Sequence, residues 1–213
     1  MKNEKSSINN FIAFYAKAEK LKSTMRHSWL TNGRQESSAE HSWMLGLLAI
    51  VLSGELETKV DILKVVKMVT VHDLAEAITG DIPSHEISSR KENKYQAEKD
   101  AFKELAQDLP KKTAEEIVSL WEEFEENETV EAKFANALDK LEATLQHNVA
   151  PIETWDQGDF DIGPYYKEHF FDFDAFIREL KDAADRGTME KVIDAKAESR
   201  VDRKHLERYQ NEK

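Results

Sequence analysis

The chain has 213 residues, of which 40% are hydrophobic and 34% charged, and it contains no cysteine. Without cysteine, disulfides, thiolate zinc sites, iron–sulfur clusters and cysteine nucleophiles are excluded. The 30 lysines and arginines are outnumbered by 42 aspartates and glutamates, which gives a formal net charge of −12. We therefore expect no nucleic acid polymer as a partner, because such affinity comes mostly from cationic contacts to phosphates.

Two segments bear on the location of the protein. The first ten residues are polar and lack the apolar centre of a signal peptide. The longest apolar stretch, residues 44–52, is too short to span a bilayer. These features lead us to expect a soluble cytoplasmic protein that makes no membrane contact.

Helical periodicity runs through the chain and strand-like alternation is almost absent, which predicts an all-α fold. Apolar residues at helical spacing predict a first helix near residues 11–21. Ser37 and Glu40 form a capping box, which predicts the start of a second helix that reaches about residue 53. Because this second helix is very apolar, we expect it to be central.

The remaining helices follow from caps and breakers. Thr58 is a candidate cap for a third helix, which we expect to end at a left-handed Gly80 before Pro83. A fourth helix is predicted over residues 88–107, and a fifth begins with a capping box of Thr113 and Glu116. Further helices are predicted over residues 129–148, 172–184 and 189–208, and a loop over residues 155–166.

Residues 71–83 concentrate polar groups near the end of the predicted third helix. His72 and Glu76 are four residues apart and are predicted on one helical face, with Asp73 beside them. Helix C-termini carry partial negative charge, so acidic side chains there are favourable only with a cation, which indicates a metal site. The alternative is that His72 caps the helix end and the acidic side chains are solvated.

Two residues elsewhere are candidates to complete such a site. His41 lies near the start of the second helix, and Asp139 lies in an apolar helix with alanine one turn away on either side. Taken alone, His41 is compatible with an ordinary buried histidine and Asp139 with a solvent-facing acid. Together with His72 and Asp73, they form a nitrogen-and-oxygen donor set suited to a divalent first-row transition metal.

The order of these residues resembles the HD superfamily of metal-dependent phosphohydrolases, and within it the HD-domain 5′-deoxynucleotidases. In chain order the matching positions are Arg26, Glu40-His41-Ser42, His72-Asp73-Leu74-Ala75-Glu76, Asp81-Ile82-Pro83 and Asp139. The resemblance covers about residues 11–148 and implies an all-α helical bundle. We expect a single domain over residues 1–213, in which residues 151–213 form a C-terminal helical extension. The family pattern has tryptophan directly after the arginine, where this chain has His27.

The resemblance also implies residue roles and one divalent transition metal ion (Mn, Co, Fe, Ni or Zn). The matching metal ligands are His41, His72, Asp73 and Asp139. Glu76 matches the group that assists proton transfer, Arg26 the group that orients the phosphate, and Asp81 a group near the sugar hydroxyl, and we assign these three to catalysis. The expected substrate contacts are Arg26, His27, His41, Asp73, Asp81, Ile82, Pro83, Ser84 and Asp139. An alternative role for His27 is packing against the first helix.

The expected reaction is removal of phosphate from a monoester, with a (deoxy)nucleoside 5′-monophosphate as substrate and a homodimer as the assembly. Three alternatives remain: hydrolysis of a phosphodiester or another phosphorylated metabolite, a nucleotide-sensing module without turnover, and a purely structural role without metal. Arg34 is a second candidate phosphate ligand, or else a surface arginine. Several aromatic and histidine side chains are interpreted as ordinary core, dimer or surface residues: Trp121, Phe124, His85, His147, His169 and His205.

Overall fold

The computed structural model describes the backbone of residues 2–212 and the side chains of residues 8–212. As predicted, the fold is an all-α bundle, to which a small antiparallel hairpin is attached. The helices are α1 (Lys2–Ala18), α2 (Ser38–Leu52), α3 (Ile62–Val71), α4 (Glu76–Thr79), α5 (Ser89–Glu92), α6 (Lys94–Ala106), α7 (Lys111–Glu126), α8 (Val130–Val149), α9 (Gln157–Ile162), α10 (Ala175–Asp194) and α11 (Arg203–Asn211), and the strands are β1 (Met25–Trp29) and β2 (Gln35–Ser37). Within residues 2–212, no helix is both long and apolar enough to cross a lipid bilayer.

Helix α8 is the centre of the bundle. It packs against α2, α3, α7 and α10. Its predicted apolar stripe is buried at Phe134, Leu138 and Leu141, where it meets Met68 and Val69 of α3 in the main hydrophobic core. A smaller side chain on this stripe would leave a cavity between helices, so functional side chains on α8 are held by a closely packed support.

Helix α2 begins as its sequence predicts but is central on one side only. The Ser37 hydroxyl accepts the Glu40 backbone N–H, and the Glu40 carboxylate accepts the Ser37 N–H, which confirms the capping box. Leu45 is fully buried, whereas Trp43 and Ile50 are 65% and 63% exposed. The apolar composition of α2 thus serves the core and also an exposed face.

The third helix differs from its prediction at both ends. Asp61 is its cap, because its carboxylate accepts the backbone N–H groups of Leu63 and Lys64. The Thr58 N–H instead donates to the Asp174 carboxylate, which is far away in the sequence. Helix α3 ends at Val71. Between it and the short α4, the backbone forms tight turns in which each N–H bonds to the carbonyl oxygen three residues earlier. Gly80 ends α4 with a φ of 73°, so the predicted terminator is right although the helix before it is broken.

Other boundaries also depart from the predictions. The region 88–107 is divided between α5 and α6, and α7 begins directly after Pro110 without the capping box expected at Thr113 and Glu116. The hairpin of β1 and β2 was not predicted, because its short strands lack a clear alternation of buried and exposed residues.

The C-terminal third divides its helices at other places than predicted, and the helix expected over residues 189–208 is interrupted at 195–202, between α10 and α11. Helix α9 occupies the expected loop at 155–166 and begins with a capping box of Asp156 and Asp159. Helix α10 runs unbroken through residues 184–189, where a division was predicted. Gly187 lies inside it, and a Cβ there would come within 3.3 Å of the Asn148 side chain. Glycine at this position allows α10 to approach α8 closely rather than ending the helix.

Candidate metal centre and cleft

The four predicted metal ligands lie together at one point of the bundle, which we call the bundle site: His41 of α2, His72 and Asp73 of the turn after α3, and Asp139 of α8. His41 Nε2 is 3.1 Å from Asp139 Oδ1 and 3.9 Å from Asp73 Oδ2. His72 Nε2 is 3.1 Å from Asp73 Oδ2. The helices that carry these residues pack directly on one another, so the core itself brings the donors into contact.

Both histidines of the bundle site are oriented by a partner on the far side of the ring. His41 Nδ1 is 2.6 Å from Glu142 Oε2, and His72 Nδ1 lies 2.9 Å from the Val69 carbonyl oxygen. An N–H donated from Nδ1 leaves Nε2 free as a ligand, which is the usual arrangement behind metal-binding histidines. The role of Glu142 was not predicted from the sequence, although Glu142 follows Asp139 by three residues and therefore lies on the same face of α8.

The polar atoms of the bundle site fit a divalent ion. Within the described part of the chain, His72 Nε2 and Asp73 Oδ2 are buried and have no hydrogen-bond partner. An unpaired buried nitrogen next to an unpaired carboxylate oxygen is costly unless a cation satisfies both. Imidazole and carboxylate donors together suit manganese, iron, cobalt, nickel or zinc.

The electrostatics of the bundle site also favour bound positive charge. Burial and Arg26 lower the pKa of His41, but the Glu142 and Asp139 carboxylates outweigh them and raise it to about 10. Burial raises the pKa of Asp73, but His72, His41 and Arg26 outweigh it and hold that pKa below its usual range. The surrounding carboxylates therefore attract a cation into this site.

Glu76 is buried beside the bundle site on α4. It does not share a helix with His72, contrary to the prediction, because the chain turns between them. The Ser38 hydroxyl donates to Glu76 Oε2 over 2.7 Å, and Lys94 Nζ is 4.0 Å from Oε1. Burial, followed by the Asp73 and Asp81 carboxylates, raises the pKa of Glu76 well above its usual value. Glu76 is thus a buried carboxyl group suited to carrying a proton.

Arg26 reaches the bundle site from β1. Its Nη1 is 3.6 Å from Asp73 Oδ2, and its Nε is 3.3 Å from Glu36 Oε2. Burial lowers the pKa of Arg26, but the carboxylates around it, with Asp73 foremost, outweigh this and raise it further, so the guanidinium is permanently charged. The unpredicted hairpin therefore holds the arginine that the sequence motif singled out.

The bundle site opens into a cleft. The predicted residues Asp81, Ile82, Pro83 and Ser84 line it, together with His27, Glu76 and the bundle-site residues Asp73 and Asp139. Its lining also includes the cationic side chains Arg26, Lys91, Lys94, Lys140 and Lys167. These cations lie beside an equal number of acidic side chains in the lining, so the cleft offers an anionic ligand local positive groups although the chain has a net charge of −12.

Other predicted candidates lie elsewhere. Arg34 is paired with Glu40 at the surface, with Nη2 2.5 Å from Oε1, which fits the surface interpretation. Trp121 and Phe124 are buried in the core, so they are neither exposed dimer contacts nor base-stacking groups.

His85 and His147, interpreted from the sequence as ordinary histidines, have acidic neighbours in the structure. His85 joins His27, Asp156 and Asp159 in a second cluster, which we call the wall cluster. His147 Nε2 lies 3.3 Å from Asp159 Oδ1. These partners are far apart in the sequence, and only the docking of α9 against the cleft brings them together.

Comparison with known proteins agrees with this fold. A model of the HD domain family matches residues 18–181, and the chain belongs to this family. It is 34% identical over 146 residues to a 5′-deoxynucleotidase of Dictyostelium discoideum, a match that covers 65% of this chain and 76% of the relative. It is 36% identical to a 5′-deoxynucleotidase of Schizosaccharomyces pombe, with 64% of this chain and 70% of the relative covered.

A solved structure from Magnetospirillum magnetotacticum, described as a predicted metal-dependent phosphohydrolase, is also similar. The TM-score is 0.68 at 29% identity, and the match covers 86% of this chain and 95% of the other. The chain is thus an HD-domain protein related to 5′-deoxynucleotidases, with a metal-dependent phosphohydrolase among its structural neighbours.

Proposed function

We propose that the protein hydrolyses phosphate monoesters in a metal-dependent reaction, with (deoxy)nucleoside 5′-monophosphates as its substrates. The observation that carries this proposal is the bundle site, which opens into a cleft lined by Arg26 and four lysines. The names of the relatives support the choice of a nucleotide. Metal dependence is supported by the unpaired donors of His72 and Asp73.

We propose His41, His72, Asp73 and Asp139 as the residues that would hold the ion. When bound, such an ion acts as a Lewis acid toward a phosphoryl group and lowers the pKa of water. Glu142 accepts a hydrogen bond from His41 Nδ1 and thereby orients the ring so that Nε2 faces the proposed ion.

The other side chains of the cleft divide the remaining tasks. Arg26 is charged and faces the bundle site, so it binds phosphate oxygens and offsets the charge that develops on them. We assign proton transfer at the reacting centre to Glu76, because burial and the neighbouring carboxylates raise its pKa. Asp81 lines the same cleft, where it accepts a hydrogen bond from a sugar hydroxyl.

The test is a phosphatase screen of the full chain with added Mn²⁺, Co²⁺ or Zn²⁺. The panel contains deoxy- and ribonucleoside 5′-monophosphates, 3′-monophosphates, sugar phosphates and a phosphodiester. We expect the highest kcat/KM for 5′-monophosphates. The Arg26→Ala variant should lose about 10²–10³-fold in kcat/KM with unchanged metal content, as when one charge-stabilising donor is removed.

Arg34→Ala is the matched control, because Arg34 is an exposed arginine outside the cleft. It should behave like the natural protein. A higher kcat/KM for the phosphodiester would show that the protein acts on phosphodiesters rather than on monoesters. Absence of turnover on the whole panel, with metal bound, would favour a sensing module. Loss of metal or of folding in Arg26→Ala would give Arg26 a structural role instead.

We also propose that the chain forms a homodimer through the exposed apolar face of α2. Trp43, Leu47, Ile50 and Val51 are each between 41% and 65% exposed on this helix. An apolar patch of this kind is typical of protein contact surfaces. Light scattering after size-exclusion chromatography should give twice the mass of the chain. The Trp43→Glu variant should give the monomer mass, and a monomeric natural protein would refute the proposal.

The single-domain organisation is proposed on the packing of the C-terminal third. Helix α10 lies against α8, and the C-terminal residues Phe160, Met189 and Tyr209 share a small apolar core with Trp155. We expect one cooperative unfolding transition for the full chain, measured by calorimetry. Two separate transitions would show that residues 151–213 fold independently.

A further inference from the structure

The wall cluster brings metal-binding side chains from three chain segments to one point. His27 lies on β1, His85 follows Pro83, and Asp156 and Asp159 flank the start of α9. One ligand atom from each of these residues lies within 4.8 Å of the other three. From this geometry we infer that the wall cluster binds a divalent transition-metal ion of its own, independently of the bundle site.

The spacing of the donor atoms suits a small coordination sphere. His27 Nε2 is 3.1 Å from Asp159 Oδ2 and 3.3 Å from Asp156 Oδ2, and His85 Nε2 is 3.4 Å from Asp156 Oδ2. Ligands at the usual zinc distances in a tetrahedron are roughly 3.3–3.5 Å apart. Hydrogen bonds account for only part of this arrangement, because a single N–H on His27 Nε2 cannot serve both carboxylates.

The two imidazole rings also favour a shared cation. Their centroids are 4.8 Å apart, and both Nε2 atoms face the same oxygen of Asp156. Two imidazolium rings at this distance would repel each other. A metal ion between the donors accepts both rings in their neutral form and balances the two carboxylates.

A glycine makes room for His85 in this arrangement. A Cβ added at Gly158 would lie 2.4 Å from Cγ of the His85 ring, a distance that no real contact permits. The ring therefore reaches Asp156 only because residue 158 has no side chain. The backbone of α9 thus forms a close-fitting cradle for one proposed ligand.

A buried nitrogen beside the cluster points to the same occupant. His147 Nδ1 is 2.8 Å from the Ala143 carbonyl oxygen, to which it donates, so the other ring nitrogen is directed at the cluster. Its Nε2 faces Asp159 Oδ1, yet among residues 8–212 this buried atom has no hydrogen-bond partner. A cation close to both atoms would interact favourably with this buried nitrogen and with the Asp159 carboxylate.

The experiment measures bound Co²⁺ by equilibrium dialysis and elemental analysis of the metal-stripped full chain. Co²⁺ accepts mixed imidazole and carboxylate donors and reports its geometry through its visible spectrum. We expect two ions per natural chain. His72→Gln should remove the ion of the bundle site and retain the other, which separates this inference from the proposed function.

Two variants address the wall cluster by different routes. His85→Gln removes a ligand, and Gly158→Ala displaces the ring that carries it, so each should reduce the count from two ions to one. The matched controls are His169→Gln, outside both clusters, and Gly46→Ala, where an added Cβ meets nothing within 4 Å. Both controls should retain two ions.

Circular dichroism verifies that each variant is folded. If His85→Gln does not fold, the ion count of Gly158→Ala tests the inference. One ion in the natural chain, or two ions in either folded wall-cluster variant, would overturn the inference. A His72→Gln chain that binds no Co²⁺ would also overturn it, because the wall cluster would then not bind independently.

Discussion

The bundle site and the wall cluster contain the same types of side chain, histidine and aspartate, but different parts of the fold hold them. The histidines of the bundle site come from the packed core, and His41 is fully buried. In the wall cluster, the His27 side chain is 22% exposed and that of Asp156 is 47% exposed. Donors held by core helices are fixed by packing, whereas those of the wall cluster depend on how a hairpin, a loop and a short helix meet.

The partners behind the rings differ in the same way. Each bundle-site histidine has a defined acceptor on Nδ1, from Glu142 or the Val69 carbonyl. His85 of the wall cluster rests instead on the backbone at Gly158. The donors of the bundle site are therefore fixed by packing and by hydrogen bonds behind the rings, whereas His85 is positioned by the backbone of α9.

The largest effect is expected for Asp73→Ala. The change removes a ligand and leaves the neighbouring His72 under-coordinated, so the bundle-site ion and monoester turnover should both be lost. Elemental analysis and the phosphatase assay measure the two quantities. The wall cluster should still bind one ion. Turnover that persists without the bundle-site ion would mean that the reaction takes place elsewhere.

Next in size is the effect of Glu76→Gln. Proton transfer at a reacting centre is worth about 10²–10⁴-fold in rate, so kcat should fall by at least the lower figure. Metal content should not change, because Glu76 is not one of the proposed ligands, and glutamine keeps an oxygen that can accept from the Ser38 hydroxyl. The assay is made at saturating metal.

The control for that change is Glu98→Gln. Glu98 is also a buried glutamate, and its Oε1 lies 3.3 Å from the same Lys94, but it is not among the residues that line the cleft. It should keep turnover near that of the natural chain. Full activity in Glu76→Gln would assign the proton to another group, such as Asp81.

A smaller effect is expected for Glu142→Gln, which tests the outer partner of His41. Loss of such a partner typically costs 10–100-fold in metal affinity or activity. Calorimetric titration of the bundle site with Co²⁺ should show weaker binding in that range. Glu128→Gln, an exposed position just before α8, should bind as the natural chain does. Unchanged affinity in Glu142→Gln would mean that packing alone orients His41.

The smallest effect on chemistry is expected for His85→Gln. Because His85 has no contact with the bundle site, kcat at saturating substrate and bundle-site metal should change by less than about threefold. The melting temperature should lose its response to the second Co²⁺ ion, since a ligand stabilises only the state that binds it. A large loss of kcat would show that the wall cluster takes part in the reaction.

Local sequence patterns were sufficient for several elements. The Ser37–Glu40 capping box and the apolar stripe of α8 are set by neighbours within two helical turns, and both appear in the structure. The break after Val71 could not be predicted, because residues 62–79 have one continuous helical pattern, and the turn that interrupts it carries His72 and Asp73.

The sequence by itself determined the all-α class, the family and which of its histidines and aspartates match the family motif. These properties depend on residue type and spacing, which the chain carries whatever its packing. Only the tertiary structure decided that Glu142 supports His41, that β1 places Arg26 against Asp73, and that His85 meets Asp156 across the cleft. Such contacts join positions tens of residues apart, and they depend on how helices dock, a property that no local pattern encodes.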